Sequence, residues 1–168
     1  MSAAAKPALS LRPFLATDTP LLADIFRASV EELTADDYSQ AQREAWAAAA
    51  DDEEALGARL GKQLTILGML GGSPVGFASL RGADELDMLY VHPAAAGNGV
   101  GTMLIEALEK LAAARGASRL TAEVSDSAQD FFKKRGFVPQ QRNTVPRGDE
   151  WLANTTMKKT LVAKERPQ

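Results

Sequence analysis

The sequence predicts an α/β (α+β) fold, a mixed and mostly antiparallel sheet with one parallel strand pair. Three observations predict it. Short apolar strand-like runs and amphipathic helical runs follow one another in the order β-α-α-β-β-β-α-β-α-β-β. Gly71-Gly72 sits between two of the strand runs, the mark of a tight hairpin. Over residues 84–124 a strand, a helix and a strand succeed one another, and a crossover of that kind joins parallel neighbours.

Residues 9–14 (Leu-Ser-Leu-Arg-Pro-Phe) read as the first strand. A helix follows from Thr19 to Leu33, with Asp18 or Thr17 placed to cap it and Leu21, Leu22, Ile25, Phe26, Ser29 and Val30 at helical spacing. The Ala-rich, acidic stretch from Thr34 to Gly61 reads as one or two further helices. Its run Asp51–Glu54 suits a helix start, where carboxylates meet the positive end of the dipole. Gln63–Leu70 and Pro74–Leu80 make the hairpin, and Asp84–His92 is the next strand. Gly99–Arg115 is a helix whose Val100, Met103, Leu104, Ala107, Leu108 and Leu111 share one face, with Gly116 as the C-terminal stop. Arg119–Val124 is a strand, Ser127–Arg135 a helix closed by Gly136, and Phe137–Asn143 and Glu150–Lys158 are the closing strands. No repeat or low-complexity linker interrupts them. Residues 1–168 therefore read as one domain, with 1–8 expected to be flexible and 163–168 as a tail.

Composition removes several chemistries. The 168 residues include no Cys, which excludes disulfides, thiolate metal sites and a cysteine nucleophile. The single histidine, His92, cannot build a histidine zinc cluster, and no metal is expected. A formal net charge of -3 argues against a nucleic-acid partner. No apolar run is long enough to span a bilayer, and the first ten residues lack the apolar stretch of a signal peptide. A soluble cytoplasmic protein is expected, with no membrane partner, and a homodimer is left open.

The most informative segment runs from Leu86 to Gly101, L-D-M-L-Y-V-H-P-A-A-A-G-N-G-V-G. It reads as a strand, a proline stop and alternating glycines, and it opens directly onto an amphipathic helix. Such a loop exposes unpaired N–H groups at the positive end of a helix dipole, which is a phosphate site. A Walker loop would need a Gly-Lys pair that is absent. A dinucleotide loop, G-x-G-x-x-G, would need Gly where Thr102 stands. A helix-entry turn without a ligand is the plain alternative.

A third reading rests on a family. Leu86–Thr102 resembles the acyl-CoA loop of the GNAT superfamily of N-acetyltransferases, [QR]-x-x-G-x-[GA] after an apolar strand. Ser125–Phe137, S-D-S-A-Q-D-F-F-K-K-R-G-F, resembles that superfamily's N-x-x-A-x-x-F-Y-x-x-x-G-F block. The opening L-R-P-F and T-D-T-P-L-L-A-D-I-F match its usual first strand and helix, so the resemblance covers nearly the whole chain. It implies helices on both faces of the sheet and the parallel pair at the acyl-CoA site. Two positions depart from the pattern. Ala96 stands where Gln or Arg is usual, and Phe132 replaces the tyrosine proposed in many of these enzymes as the acid for the departing thiolate.

The resemblance implies acetyl-CoA as co-substrate and an amine as acceptor. Leu89, Tyr90 and Val91 would offer backbone groups to the pantetheine arm, with an N–H near Leu89 polarising the thioester carbonyl. Gly97, Asn98, Gly99, Val100, Gly101 and Thr102 would cradle the pyrophosphate. Ser125, Phe131, Phe132 and Lys134 carry over as cofactor neighbours, Lys134 having an exposed helix lysine as its plain reading. Glu85 and Asp87 are the candidate general bases, sharing one strand face by alternation, and Glu123 is a third. Their plain reading is a solvated strand edge. His92 reads as a hydrogen-bonded loop histidine, with a general-base role as its alternative, and Trp46 and Trp151 read as core or as groove walls. The implied reaction is acetyl transfer to a primary amine, a small molecule rather than a protein, by direct attack in a ternary complex. Its rivals are an acyl-CoA sensor without turnover and, more remotely, a nucleotide-binding oxidoreductase.

Overall fold

The computed structural model describes residues 7–162. Residues 1–6 and 163–168 lie outside it, and with them most of the stretch expected to be flexible and the whole of the expected tail. The chain runs β1 (Leu9–Pro13), α1 (Thr19–Leu33), α2 (Gln40–Ala47), α3 (Glu53–Lys62), β2 (Leu64–Leu70), β3 (Ser73–Arg81) and β4 (Glu85–Val91). It continues with α4 (Val100–Ala114), β5 (Arg119–Ser125), α5 (Gln129–Lys134), β6 (Val138–Arg147) and β7 (Glu150–Thr160). The seven strands form one sheet in the order β1-β2-β3-β4-β5-β7-β6, antiparallel except for β4–β5. The expected fold class holds.

Local chemistry sets most boundaries. Ser39 and Gln42 form a reciprocal capping box at the start of α2. The Asp52 carboxylate caps Ala55 of α3, with Glu53 and Glu54 in the first turn and Arg59 and Lys62 in the last, as the dipole favours. Asp18 corrects an expectation. Its carboxylate accepts two 2.8 Å hydrogen bonds from Arg12 and one of 2.7 Å from the Leu15 N–H, so α1 begins without a side-chain cap. The bidentate guanidinium holds this carboxyl below its ordinary pKa.

The core lies on both sides of the sheet. Leu22, Phe26 and Leu60 of α1 and α3 pack with Leu67, Phe77 and Met88 on one face. Leu104 and Leu108 of α4 pack with Leu80, Leu120 and Met157 on the other. In α4 the fully buried row is Val100, Leu104, Leu108 and Ala112, with Ile105 beside it. Met103, Ala107 and Leu111, expected on that face, are only half-buried, because the i, i+4 row meets the sheet and they line its flank. Trp151 is also corrected: it is neither core nor groove wall but sits 62% exposed on β7, opposite Pro146 of the edge strand. Among the described residues no helix is long and apolar enough to cross a membrane.

Candidate active site

The site begins where the parallel pair fails. β4 and β5 pair only at Glu85↔Thr121 and Leu86↔Ala122, and beyond these the two strands part. Against β3, Leu80 faces Leu86 and Ser79 faces Met88, so Asp87 is the extra residue of a β-bulge. The bulge reverses the alternation of the strand. Leu86 packs towards α4, whereas Met88, two residues on, packs with Phe77 on the opposite face.

The backbone reverses with it. The Asp84 carbonyl accepts from the Thr121 N–H of β5 at 2.9 Å, whereas the His92 N–H donates to Val75 of β3 at 2.7 Å. Backbone groups two residues apart in a strand point the same way, so Tyr90 faces β3 and the N–H and C=O groups of Leu89 and Val91 face the gap. An unpaired strand edge of this kind is what an extended amide-bearing chain can pair with. The side chains of Leu89 and Val91 pack on the α4 face, and that of Tyr90 turns to the other. Strict alternation would have grouped Leu89 with Glu85 and Asp87. The bulge gives that place to Tyr90.

The glycine loop meets the same end of β4. Gly97 (φ 82°) and Gly99 (φ 85°) are left-handed, a backbone that L side chains avoid. Gly99 is the N-cap of α4 and supplies no side chain, and the first intrahelical bond is Met103 N–H to Gly99 at 3.0 Å. The N–H groups of Val100, Gly101 and Thr102 are thus without helical acceptors, at the positive end of a fifteen-residue helix. Gly101 is needed for closeness: a Cβ there would lie 3.2 Å from Cζ of Phe131. The side-chain amide of Asn98 turns inward to the Ala95 carbonyl, 3.0 Å away, and so shapes the loop. Arg135 stacks 3.6 Å over the Phe131 ring and donates to the Thr102 hydroxyl, bringing a cation to the first turn of α4. Arg135 lies inside the second family block, and the sequence reading passed over it.

Among the other carried-over residues, Ser125 ends β5 on the cavity described next. Phe132 is 4% exposed and packs edge-on against Phe131 and Phe137. Lys134 is exposed on the last turn of α5, as its plain reading had it. His92 accepts from the Ala94 N–H at 3.1 Å, the loop role expected of it.

A cavity of about 400 Å³ opens beside the gap. Phe26, Trp46 and Tyr90 give it an aromatic wall, with the Tyr90 ring edge-on to Phe26 and Trp46. Glu85, Asp87 and Glu123 all line it. Asp87 is clamped: Arg59 donates to both its oxygens at 2.7 and 2.8 Å, Gln63 adds 2.8 Å, and Arg81 completes the ring. Burial works to raise the Asp87 pKa, but these hydrogen bonds and the two guanidinium charges outweigh it and hold the carboxyl below its ordinary range. Glu85 is freer, with one ion pair to Arg81 at 3.4 Å. Glu123 accepts from Asn143 and Thr156 at 2.9 Å. Burial raises the Tyr90 phenol to about 12, so it stays protonated at neutral pH. Arg59, Arg81 and Arg147 also line the cavity and come from segments where no sequence motif marked them.

Residues 34–161 match the family model described as an acetyltransferase (GNAT) domain. The chain is 30% identical over 150 residues to the uncharacterized N-acetyltransferase YafP of Escherichia coli, covering 89% of this chain and 95% of that one. It is 32% identical over 124 residues to the peptidyl-lysine N-acetyltransferase YjaB of Salmonella typhimurium, covering 74% and 69%. The crystal structure of a GCN5-related N-acetyltransferase from Rhodopseudomonas palustris is similar at TM-score 0.90 and 60% identity, over 96% of this chain and 99% of that one. PaiA N-acetyltransferase from Thermoplasma acidophilum, in complex with coenzyme A, shares the fold at TM-score 0.74 and 21% identity, over 91% and 99%. The open β4 edge and the glycine cradle fit a pantetheine arm joined to a pyrophosphate, and the chain belongs to the GNAT family as an acetyl-CoA-dependent N-acetyltransferase.

Proposed function

We propose that the protein transfers an acetyl group from acetyl-CoA to the primary amine of a small molecule, by direct attack in a ternary complex. The observation that carries this is the meeting of the β4–β5 gap, lined by the Leu89 and Val91 amides, with a cavity of about 400 Å³ bearing carboxylates. That volume is in the range of small-ligand sites. The Salmonella relative is named for peptidyl-lysine, itself a primary amine, which supports the nucleophile though not the size of the acceptor.

The thioester supplies an activated acyl group and a thiol leaving group, and the chain's residues bind, orient and move a proton. Gly97–Thr102 and Arg135 hold the pyrophosphate, Arg135 supplying the charge that Ala96 does not. The Leu89 N–H donates to the reacting carbonyl oxygen, a contact typically worth roughly 10²–10³ in rate. An amine of pKa near ~10.4 is free base in about one molecule in 10³ at neutral pH, a handicap of roughly 4–5 kcal/mol. Glu85, directly or through one water, takes its proton. Asp87, held ionised by four donors from Arg59, Arg81 and Gln63, positions those side chains rather than accepting a proton. Phe132 is packed in the core, and the thiolate leaves without a protein acid.

Release of free thiol from acetyl-CoA over an amine panel tests this reading. Turnover with at least one small amine is expected. Binding of CoA with no release above background for any amine would favour the sensor instead.

A further inference from the structure

We propose that the acceptor carries a carboxylate as well as its amine, the two joined by an extended apolar stretch, and that Arg147 binds the carboxylate. This rests on the amine-transfer reading above and adds the chemical class of the acceptor. Of the guanidiniums lining the cavity, Arg59 and Arg81 are engaged by Asp87. Arg147 has no carboxylate partner among the described residues, and its one hydrogen bond is a local 2.9 Å contact to the Pro146 carbonyl. Its side chain nevertheless lines the same cavity as the buried Tyr90. A guanidinium with free donors beside an aromatic wall is suited to bidentate capture of a carboxylate.

The opposite end of the cavity is anionic. Glu123 accepts only from neutral groups, Asn143 and Thr156, with no cation paired to it among the described residues, while Glu85, paired with Arg81 at 3.4 Å, stands where β4 and β5 part. An ammonium is drawn there, next to the amides of Leu89 and Val91. The register gives the span. Glu123 faces Thr156 and Arg147 faces Glu150, so the two charges lie six residues apart along β7. That is about 20 Å of strand at 3.3 Å per residue, which the two long side chains shorten from both ends. An α-amino acid acetylated on its α-amine is too short to bridge such a site. An ω-amino carboxylate of several carbons spans it, its methylenes lying against Trp46 and Leu152.

The test compares 6-aminohexanoate with 6-aminohexanamide as acceptors, reading thiol release and, separately, calorimetric binding to the protein saturated with CoA. Wild type should favour the acid over the amide by about tenfold or more in kcat/KM, the worth of one charge-assisted bidentate contact. Arg147→Ala should bring that ratio towards one through KM for the acid, and Arg147→Lys should restore part of it. An unchanged ratio in Arg147→Ala, or no preference in wild type, overturns the proposal. If neither compound is acetylated but the acid still binds in an Arg147-dependent way, the carboxylate site stands and the amine-transfer reading falls. If the acid does not bind at all, the site falls.

Discussion

Gly99→Val probes the glycine cradle at the position where space and backbone conformation can be separated. A Cβ at Gly99 would sit 3.6 Å from Leu9 Cδ1, an ordinary contact, so nothing obstructs the side chain. The obstacle is φ 85°, which costs an L-residue roughly 1–2 kcal/mol and a β-branched one no less. The N-cap then relaxes towards negative φ and re-aims the N–H groups of Val100, Gly101 and Thr102, which have no helical acceptor of their own. Each charge-assisted hydrogen bond lost from the pyrophosphate is worth about 1.5–3 kcal/mol, so the Kd for CoA should rise about ten- to a hundredfold. Gly72→Val is the matched control. Gly72 also has a left-handed φ of 82° and no atom within 4 Å of its Cβ, but it belongs to the β2–β3 hairpin. Calorimetric titration with CoA and thermal melts of both variants separate strain from binding. The reasoning is refuted if Gly99→Val binds CoA within threefold of wild type, or if Gly72→Val loses affinity to the same degree.

Glu85→Gln should lower kcat/KM by roughly 10²–10⁴ at pH 7, with CoA affinity unchanged; a drop of less than threefold would move the base elsewhere. Asp87→Asn should cost roughly 1.5–3 kcal/mol in urea melts at pH 7, the worth of a hydrogen bond to a charged group. The Asp87 carboxyl is depressed in the folded state, so its contribution is full above the unfolded value of about 4 and fades as pH falls through the folded one. Wild type and Asp87→Asn should therefore converge in stability at strongly acidic pH, and a constant gap would show that charge is not the cause. Tyr38→Phe removes a hydroxyl that accepts from the Asp126 N–H at 2.9 Å and donates to the Ala153 carbonyl at 2.5 Å, tying the α1–α2 connection to β5 and β7. Two stranded backbone groups should lower stability by about 1–3 kcal/mol, or ~2–12 °C in Tm, and an unshifted melt would mean water replaces the tie.

Much of this was legible because its causes are local. The glycine loop, the Gly71-Gly72 turn, the α4 repeat and the acidic start of α3 each depend on residues within a turn or two of one another. Expectations that needed a partner from elsewhere fared less well. Asp18 or Thr17 was expected to cap α1, but the Asp18 side chain is taken by Arg12, and Trp151 was expected as core or groove wall until β7 placed it on an open face beside the edge strand. Asp87 was named as a candidate base from its place in the strand, a place that carried no sign of the side chains that hold its carboxyl below its ordinary range. Arg59, 28 residues earlier, closes on it from α3.

The sequence by itself determined the order of the elements, save whether one helix or two filled residues 34–61, and, through two short blocks, the donor, because a glycine loop at a helix start needs only local conformation. Tertiary structure decided the open strand edge and the cavity beside it. The bulge at Asp87 arises from β4 serving β3 along its length and β5 for only two residues, and it alone turns the Leu89 and Val91 amides to the gap. The insertion of β7 between β5 and β6 carries Arg147 back to the cavity wall. Charge pairing across such distances leaves no periodicity in the chain, because a guanidinium's role depends on which carboxylates the fold has already given to its neighbours.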